Sequence, residues 1–570
     1  MPAPPKPRTR RLTVVAQDPS IKEGRDILKA EVNVPAEDLK AGPWGHRVQV
    51  VDYDASTNTF YRPLAETEYR NLARDPFEDD TSNSTILENP HFHCQNVYAL
   101  VMKTLARFEY ALGRRVSWSF GRHQLRVVPH AFADANAFYS EQDESLLFGY
   151  FPSRDSRKKM VYTCLSHDVV VHETTHALVD GLRDLYTEPS SRDQAAFHEG
   201  FADIVALLSV FSLKGVAERI LSLSHPGGRG QLISVESIDA TALKESGLFE
   251  LAKEMGSEIS LVRGRPLRHS AKLSPDVALY DKYKEPHRHG EILVAAMLNA
   301  FVKVWVKRLE GLSGEGANKL PWERIVEEGA EIADKLLTIA IRAIDYSPPV
   351  DINFPDFLSA LITADKELYP DDGRYRFRSI LLKSFAAYGI KPPKGTKAEG
   401  AWKSERKEYS YERTHFESMK SDPDEVFRFI WENRDALGLC AHAHARVISV
   451  RPSIRIGPDG FMLRETVAEC IQTLEVTASE LRKYDIHKPE SMPGDVRLRL
   501  NGGTALIFDE YGHLKYNIHN TLLNKDRQEE KIGYLWKTGM IKEDRSEYKN
   551  FARIHRERAV STVSKVEEEW

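Results

Sequence analysis

The stretch from His167 to Ile204 limits what this chain can fold into more than any other. Three consecutive valines, Val169, Val170 and Val171, run straight into His172-Glu173-Thr174-Thr175-His176. The valines bury the start of the element they belong to. Two imidazoles and a carboxylate are thereby carried toward an interior where each needs a partner. On a helix, positions four apart share a face, and His172 and His176 then hold one ion together. Neutral imidazoles suit Zn²⁺, which takes nitrogen ligands at about 2.0–2.1 Å. Glu173 sits beside the first of them, where a carboxylate can take a proton from water at the ion without itself being a ligand.

A catalytic zinc needs a third protein ligand and one open position. Glu199 is the best candidate, lying just ahead of an apolar run, Phe201 to Phe211, with the pattern of a second helix. Asp203, four residues on, shares its face and is placed to accept the free ring N–H of a histidine ligand and fix its tautomer. The five-residue motif alone is short enough to arise by chance. The second acidic pair on a following helix makes the combination specific for a metal site.

The run Asp168-Val169-Val170-Val171-His172-Glu173-Thr174-Thr175-His176-Ala177, followed by Glu199 and Asp203, resembles the active-site helices of the thermolysin-like zinc metallopeptidases, within the wider gluzincin group. The resemblance covers about residues 90–390. It implies an α+β, two-lobed fold with a β-rich N-terminal lobe and a helical C-terminal lobe. It also implies zinc on His172, His176 and Glu199, Glu173 as general base, and Asp203 as support. The interval from His176 to Glu199 is a few residues longer than the family pattern, which implies a longer connecting loop. Asn136-Ala137-Phe138-Tyr139 is similar to the family's edge strand, which pairs with extended substrate. By that likeness Asn136, Ala137 and Phe138 bind substrate through strand addition. Tyr186 falls near the place of a family tyrosine that stabilises the oxyanion, a packed helix-end tyrosine being the alternative. His287-Arg288-His289-Gly290-Glu291-Ile292 resembles the fungalysin-like form of the segment whose histidine faces the zinc across the cleft. Its spacing favours His287, with His289 a close competitor and helix capping by both the bland alternative. The position of Asp168 serves calcium in the family, but no acidic cluster follows Asp203, so that calcium site looks incomplete.

The 570 residues exceed one compact core and imply two to four domains. We expect a tail and small β-rich lead over 1–80, with a hairpin turning at Asp54 to Asn58. The peptidase region spans 81–390 and includes a helix over Phe92 to Leu112. A linker rich in Pro, Gly and Lys follows over 391–415, and a separate α+β domain of unknown role over 416–570. In that domain the pattern gives a helix from Asp424 to Leu437. It gives strands at Arg446 to Arg455, Ile471 to Thr477, Arg497 to Asn501, Thr504 to Phe508 and Leu514 to Ile518. Cys440, His442 and His444 read as structural, and the basic stretch Arg263 to Arg268 as a solvated loop.

A net charge of −5 gives no nucleic-acid footprint. Four scattered cysteines form no disulfide framework, and no apolar run reaches the 18 residues or so that span a bilayer. The apolar patch Leu12 to Ala16 is too short for a signal-peptide core, so the chain is expected in the cytoplasm. Together these features lead to a zinc endopeptidase acting on protein or peptide substrates. By the resemblance it prefers a hydrophobic residue after the cut. A partner or regulator would act through the C-terminal domain, and neither nucleic acid nor membrane is expected as a partner. The alternative is a zinc-bearing binding or regulatory module with little turnover.

Overall fold

The computed structural model describes residues 8–541 apart from 73, 154–158, 189, 249–250, 252–265, 313–317, 374, 406 and 458–459. The N-terminal pair, β1 (Thr9–Val15) and β2 (Lys29–Pro35), is antiparallel. Strand β3 (Val48–Val50) follows, then the expected hairpin, shorter than its sequence pattern: Tyr53–Asp54 pairs with Thr59–Phe60. Its turn is built by Asp54, whose carboxylate accepts from the amides of Ser56 and Thr57, and by Asn58 at a left-handed φ of 52°.

Helix α1 (Pro90–Leu112) starts at an Asn89 cap with proline in its first turn and stops at Gly113, where φ is 66°. A Cβ at Gly113 would also meet Ile454 O at 2.7 Å, so the stop doubles as a close approach. Strands β4 (Leu125–Phe132), β5 (Ala137–Ser140), β6 (Ser145–Pro152) and β7 (Met160–Tyr162) complete a sheet ordered β7-β6-β4-β3, with β5 antiparallel on β6. The residues before 80 are therefore not a separate lead, because β3 is the edge of this sheet.

Two helices carry the motif, α2 (His167–Leu182) and α3 (Arg192–Phe211). After a shorter helix, Lys214–Ser224, the long helices of this region are α4 (Pro286–Leu312), α5 (Trp322–Ala343), α6 (Phe354–Leu368) and α7 (Phe377–Ala386). Helix α6 opens on a capping box between Asn353 and Asp356. Helix α3 packs on α2, α4 and α5. It meets α4 backbone to backbone, since a Cβ at Gly290 would lie 3.0 Å from Ala196 O.

The C-terminal part begins with α8 (Pro423–Glu432). Strands β8 (His444–Ile456), β9 (Met462–Thr477), β10 (Arg497–Phe508) and β11 (Leu514–Asn520) then form an antiparallel sheet in chain order, and α9 (Lys525–Lys537) closes it. The two expected strands around Gly502 and Gly503 are one. The glycines keep the ladder with Gln472 and Ile471 while Leu522 and Pro349 press against them.

This sheet is not an independent domain. Leu463, Val467, Ala505, Ile507, Tyr516 and Ile518 belong to the same buried core as α1 to α7. Ion pairs cross the junction: Arg342 to Glu465 at 2.5 Å, Arg527 to Asp356 at 2.9 Å, and Arg183 to Glu469. Nor is the stretch after 390 a free linker, for Ala401 is fully buried and the Trp402 indole donates to Tyr346 O at 2.8 Å. The expected linker and separate C-terminal core are corrected accordingly. Among the described residues no single helix is long and apolar enough to cross a membrane.

Candidate metal centre

Every residue of α2 is buried, so its polar side chains are fixed by partners. Thr174 and Thr175 donate back to Val170 O and Val171 O, one turn earlier. Asp168 accepts from the Val169 amide and the Ser166 hydroxyl, which fastens the start of the helix. Gly181 lets the far end lie against Ser117, whose carbonyl would sit 2.1 Å from a Cβ there.

On this helix the ring nitrogens His172 Nε2 and His176 Nε2 come within 2.8 Å, with the two rings at 89°. From α3, Glu199 places one carboxylate oxygen 3.5 Å from His172 Nε2 and the other 3.8 Å from His176 Nε2. Tetrahedral zinc with bonds near 2 Å needs donor atoms about 3.3 Å apart. The observed spread of 2.8–3.8 Å brackets that value. His172 Nδ1 lies 2.8 Å from Asp203 Oδ1. The carboxylate only accepts, so the proton is on Nδ1 and Nε2 keeps its lone pair for a cation. The sequence-derived group His172, His176, Glu199 and Asp203 is thus brought together on two packed helices.

Glu173 also has an oxygen within 4.8 Å of both ring nitrogens. Its other attachment differs from that of Glu199: Oε2 accepts the Tyr139 amide at 3.0 Å. Tyr139 lies on β5, whose one edge pairs with β6 while its other, carrying this amide, turns toward α2. Among the described residues no second strand adjoins that edge. Ala137 and Phe138 therefore lie on the strand beside Glu173, with Asn136 immediately before it. Gly149 permits this, because Asn136 O would be 2.7 Å from a Cβ there. The Tyr139 hydroxyl donates to Asp180 at 2.8 Å, and burial raises the Asp180 pKa to about 6.

Two expected residues are engaged elsewhere. Tyr186 is buried at the end of the motif segment and donates to Pro348 O at 2.7 Å, edge-on to Phe197. That is the packed helix-end role, and the oxyanion role is withdrawn. His289 is fully buried, stacked on Phe354, with Nε2 2.7 Å from Asp193 Oδ1. Burial works to raise the Asp193 pKa, but hydrogen bonds from His289 and Tyr280 more than offset it and leave the carboxylate below its ordinary range. His289 thus joins α4 to α3. The side chain of His287 lies outside the described residues, as do Arg263 to Arg265 and the side chains of Pro266 to Arg268; the expected loop there gives way to a helix, Pro266–Lys272.

His198 was not singled out from sequence, yet its ring stacks on His176 at 4.6 Å and 12°. Its place immediately before Glu199 was the only signal. His442 and His444 are exposed and, with Cys440, join no metal-type group among the described residues. No known family model matches this chain, and no curated protein matches it.

Proposed function

We propose that the chain is a zinc-dependent endopeptidase of thermolysin-like, two-lobed build, with the sheet of β3–β7 as one lobe and α3–α7 as the other. The observation that carries this is the convergence of His172, His176 and Glu199 within 3.8 Å beside a carboxylate, Glu173, that is tied to a strand edge. The residues fit zinc: two imidazoles and a carboxylate, one imidazole fixed in its tautomer by Asp203. A zinc ion held there supplies Lewis acidity and lowers the pKa of water. Glu173 then takes the proton of the attacking water and returns it to the leaving amine. The β5 edge at Ala137 to Tyr139 would align an extended peptide by main-chain hydrogen bonds, which bind any sequence and leave selection to side-chain pockets.

One observation favours a second role, a zinc-bearing binding module with little turnover. Neither Tyr186 nor His289 is available to stabilise a transition state. Glu173→Gln separates the two. It keeps the shape of the side chain and removes the base. Zinc content should stay unchanged while peptide cleavage falls by about 10²–10⁴-fold. Equal cleavage by parent and variant would overturn the mechanism, and no cleavage by the parent would favour the binding role.

A further inference from the structure

A second cluster of metal-type donors lies away from the first. His93 on α1, His130 on β4 and Cys164 in the turn Thr163–Leu165 place their donor atoms within 4.8 Å of one another. All three residues are buried, with exposures of 1 %, 4 % and 0 %. We infer that His93, His130 and Cys164 form a second, structural metal site for a divalent transition metal of the zinc type.

The hydrogen bonds around the rings carry the argument. His93 Nε2 faces Ile86 O at 2.9 Å. A carbonyl only accepts, so the proton is on Nε2 and the neutral ring keeps its lone pair at Nδ1. His130 Nδ1 faces Asp52 Oδ1 at 2.8 Å, which likewise puts its proton on Nδ1 and leaves the lone pair at Nε2. These two lone-pair nitrogens are 2.8 Å apart, the same separation as the ring nitrogens of His172 and His176. Two lone pairs at that distance repel unless a positive charge lies between them. That charge is either one extra proton or a cation.

The third donor decides for the cation. Cys164 brings a sulfur within 4.8 Å of both nitrogens, and two imidazoles with a thiolate suit zinc and exclude calcium or magnesium. The outer partners, Asp52 and Ile86 O, are those that metal-bound imidazoles use to fix ring orientation. The three donors come from a helix, a strand and a turn. Cys164 stands only three residues ahead of His167, the first residue of α2. An ion here would fasten the β-rich lobe to the launch point of the helix that carries His172 and His176.

The test uses the full chain with the first site blanked by His172→Ala and Glu199→Ala, stripped of metal and titrated with Co²⁺ alone. We expect about one equivalent of tight binding and a thiolate-to-cobalt absorption band. Cys164→Ser added to the blanked chain should abolish the band. Metal analysis of the unsubstituted protein should give about two zinc ions per chain. The inference is overturned if the blanked chain binds no cobalt, or shows no sulfur band, or binds only at cobalt far above one equivalent. In those cases an extra proton fills the place, as a His130 imidazolium paired with Asp52. The band in the blanked chain decides even where Cys164→Ser fails to fold. Loss of one zinc on blanking reports separately on the first site.

Discussion

Removing Asp203 isolates what an outer carboxylate contributes to a proposed metal ligand. Asp203→Ala takes away the acceptor 2.8 Å from His172 Nδ1 and touches neither Glu199 nor His176. The imidazole is then free to rotate or to change tautomer, and each alternative removes the Nε2 lone pair from the ion. The bond is shielded from water, with side-chain exposures of 4 % for His172 and 14 % for Asp203. A hydrogen bond to an ionised group in such a place contributes about 1.5–3 kcal/mol. At about 1.4 kcal/mol per decade this is roughly 10–100-fold in zinc affinity, the range known for such partners. The assay is competition for zinc between metal-free protein and a chelator of known affinity. Parent, Asp203→Ala and Asp203→Asn are compared. Metal held elsewhere in the chain is common to all three and cancels. Asparagine keeps an acceptor oxygen without the charge, so Asp203→Asn should fall between the other two. An Asp203→Ala protein that binds zinc within about threefold of the parent would refute the assignment of the Nδ1 proton on which the site's tautomer rests.

Tyr186→Phe should leave cleavage within about threefold and cost about 1 kcal/mol in urea unfolding, through the lost Pro348 bond; a fall of 10²–10³ in turnover would restore the oxyanion role. Asp180, whose folded pKa of about 6 lies above its ordinary 3.8, keeps a proton in the native chain that the unfolded chain releases between those values. Native stability relative to Asp180→Asn should therefore fall by about 3 kcal/mol as pH rises from about 4 to above 6, and a flat difference between parent and variant would count against the burial argument. Glu465→Leu strips one carboxylate from the buried Arg342 and should destabilise the whole chain by about 3–5 kcal/mol in a single unfolding transition. Two separate transitions in the parent would mean that the C-terminal sheet folds by itself.

The candidate site was largely legible in the sequence because its geometry is local. His172 and His176 are four apart on one helix, and Glu199 and Asp203 four apart on the next, so helical periodicity alone puts each pair on one face. The helices were legible for the same reason: the one expected over Phe92 to Leu112 is found as Pro90–Leu112. Glu173 differs. Its bond to the Tyr139 amide spans 34 residues and joins a strand to a helix, and the likeness of Asn136 to Tyr139 to a known edge strand was the only pointer to it. His289 shows the opposite failure. Its place at a helix start was read correctly, but Asp193, 96 residues earlier, claims its ring and turns it into the α3–α4 contact.

The same distinction explains why the C-terminal sheet looked like a domain of its own. Arg183, Glu465 and Glu469 find their partners far away in sequence, and Arg342 has one local partner, Asp345, beside the distant Glu465. In the fold Arg342 and Glu465 are both fully buried and bridge α5 to β9. Arg183, the residue after α2, meets Glu469 on the same strand. Burying one member of such a pair without the other is strongly destabilising, more so than the pair itself is stabilising. The sheet and the helical region therefore depend on each other: a chain ending near residue 390 would keep the arginines and lose Glu465 and Glu469, leaving Arg342 only Asp345, which Arg114 also claims. Because Arg183 follows the helix that holds His172 and His176, the far end of the helix with the candidate ligands is anchored by Glu469, which follows it in sequence by almost three hundred positions. The C-terminal sheet is thus part of what holds the candidate site in place.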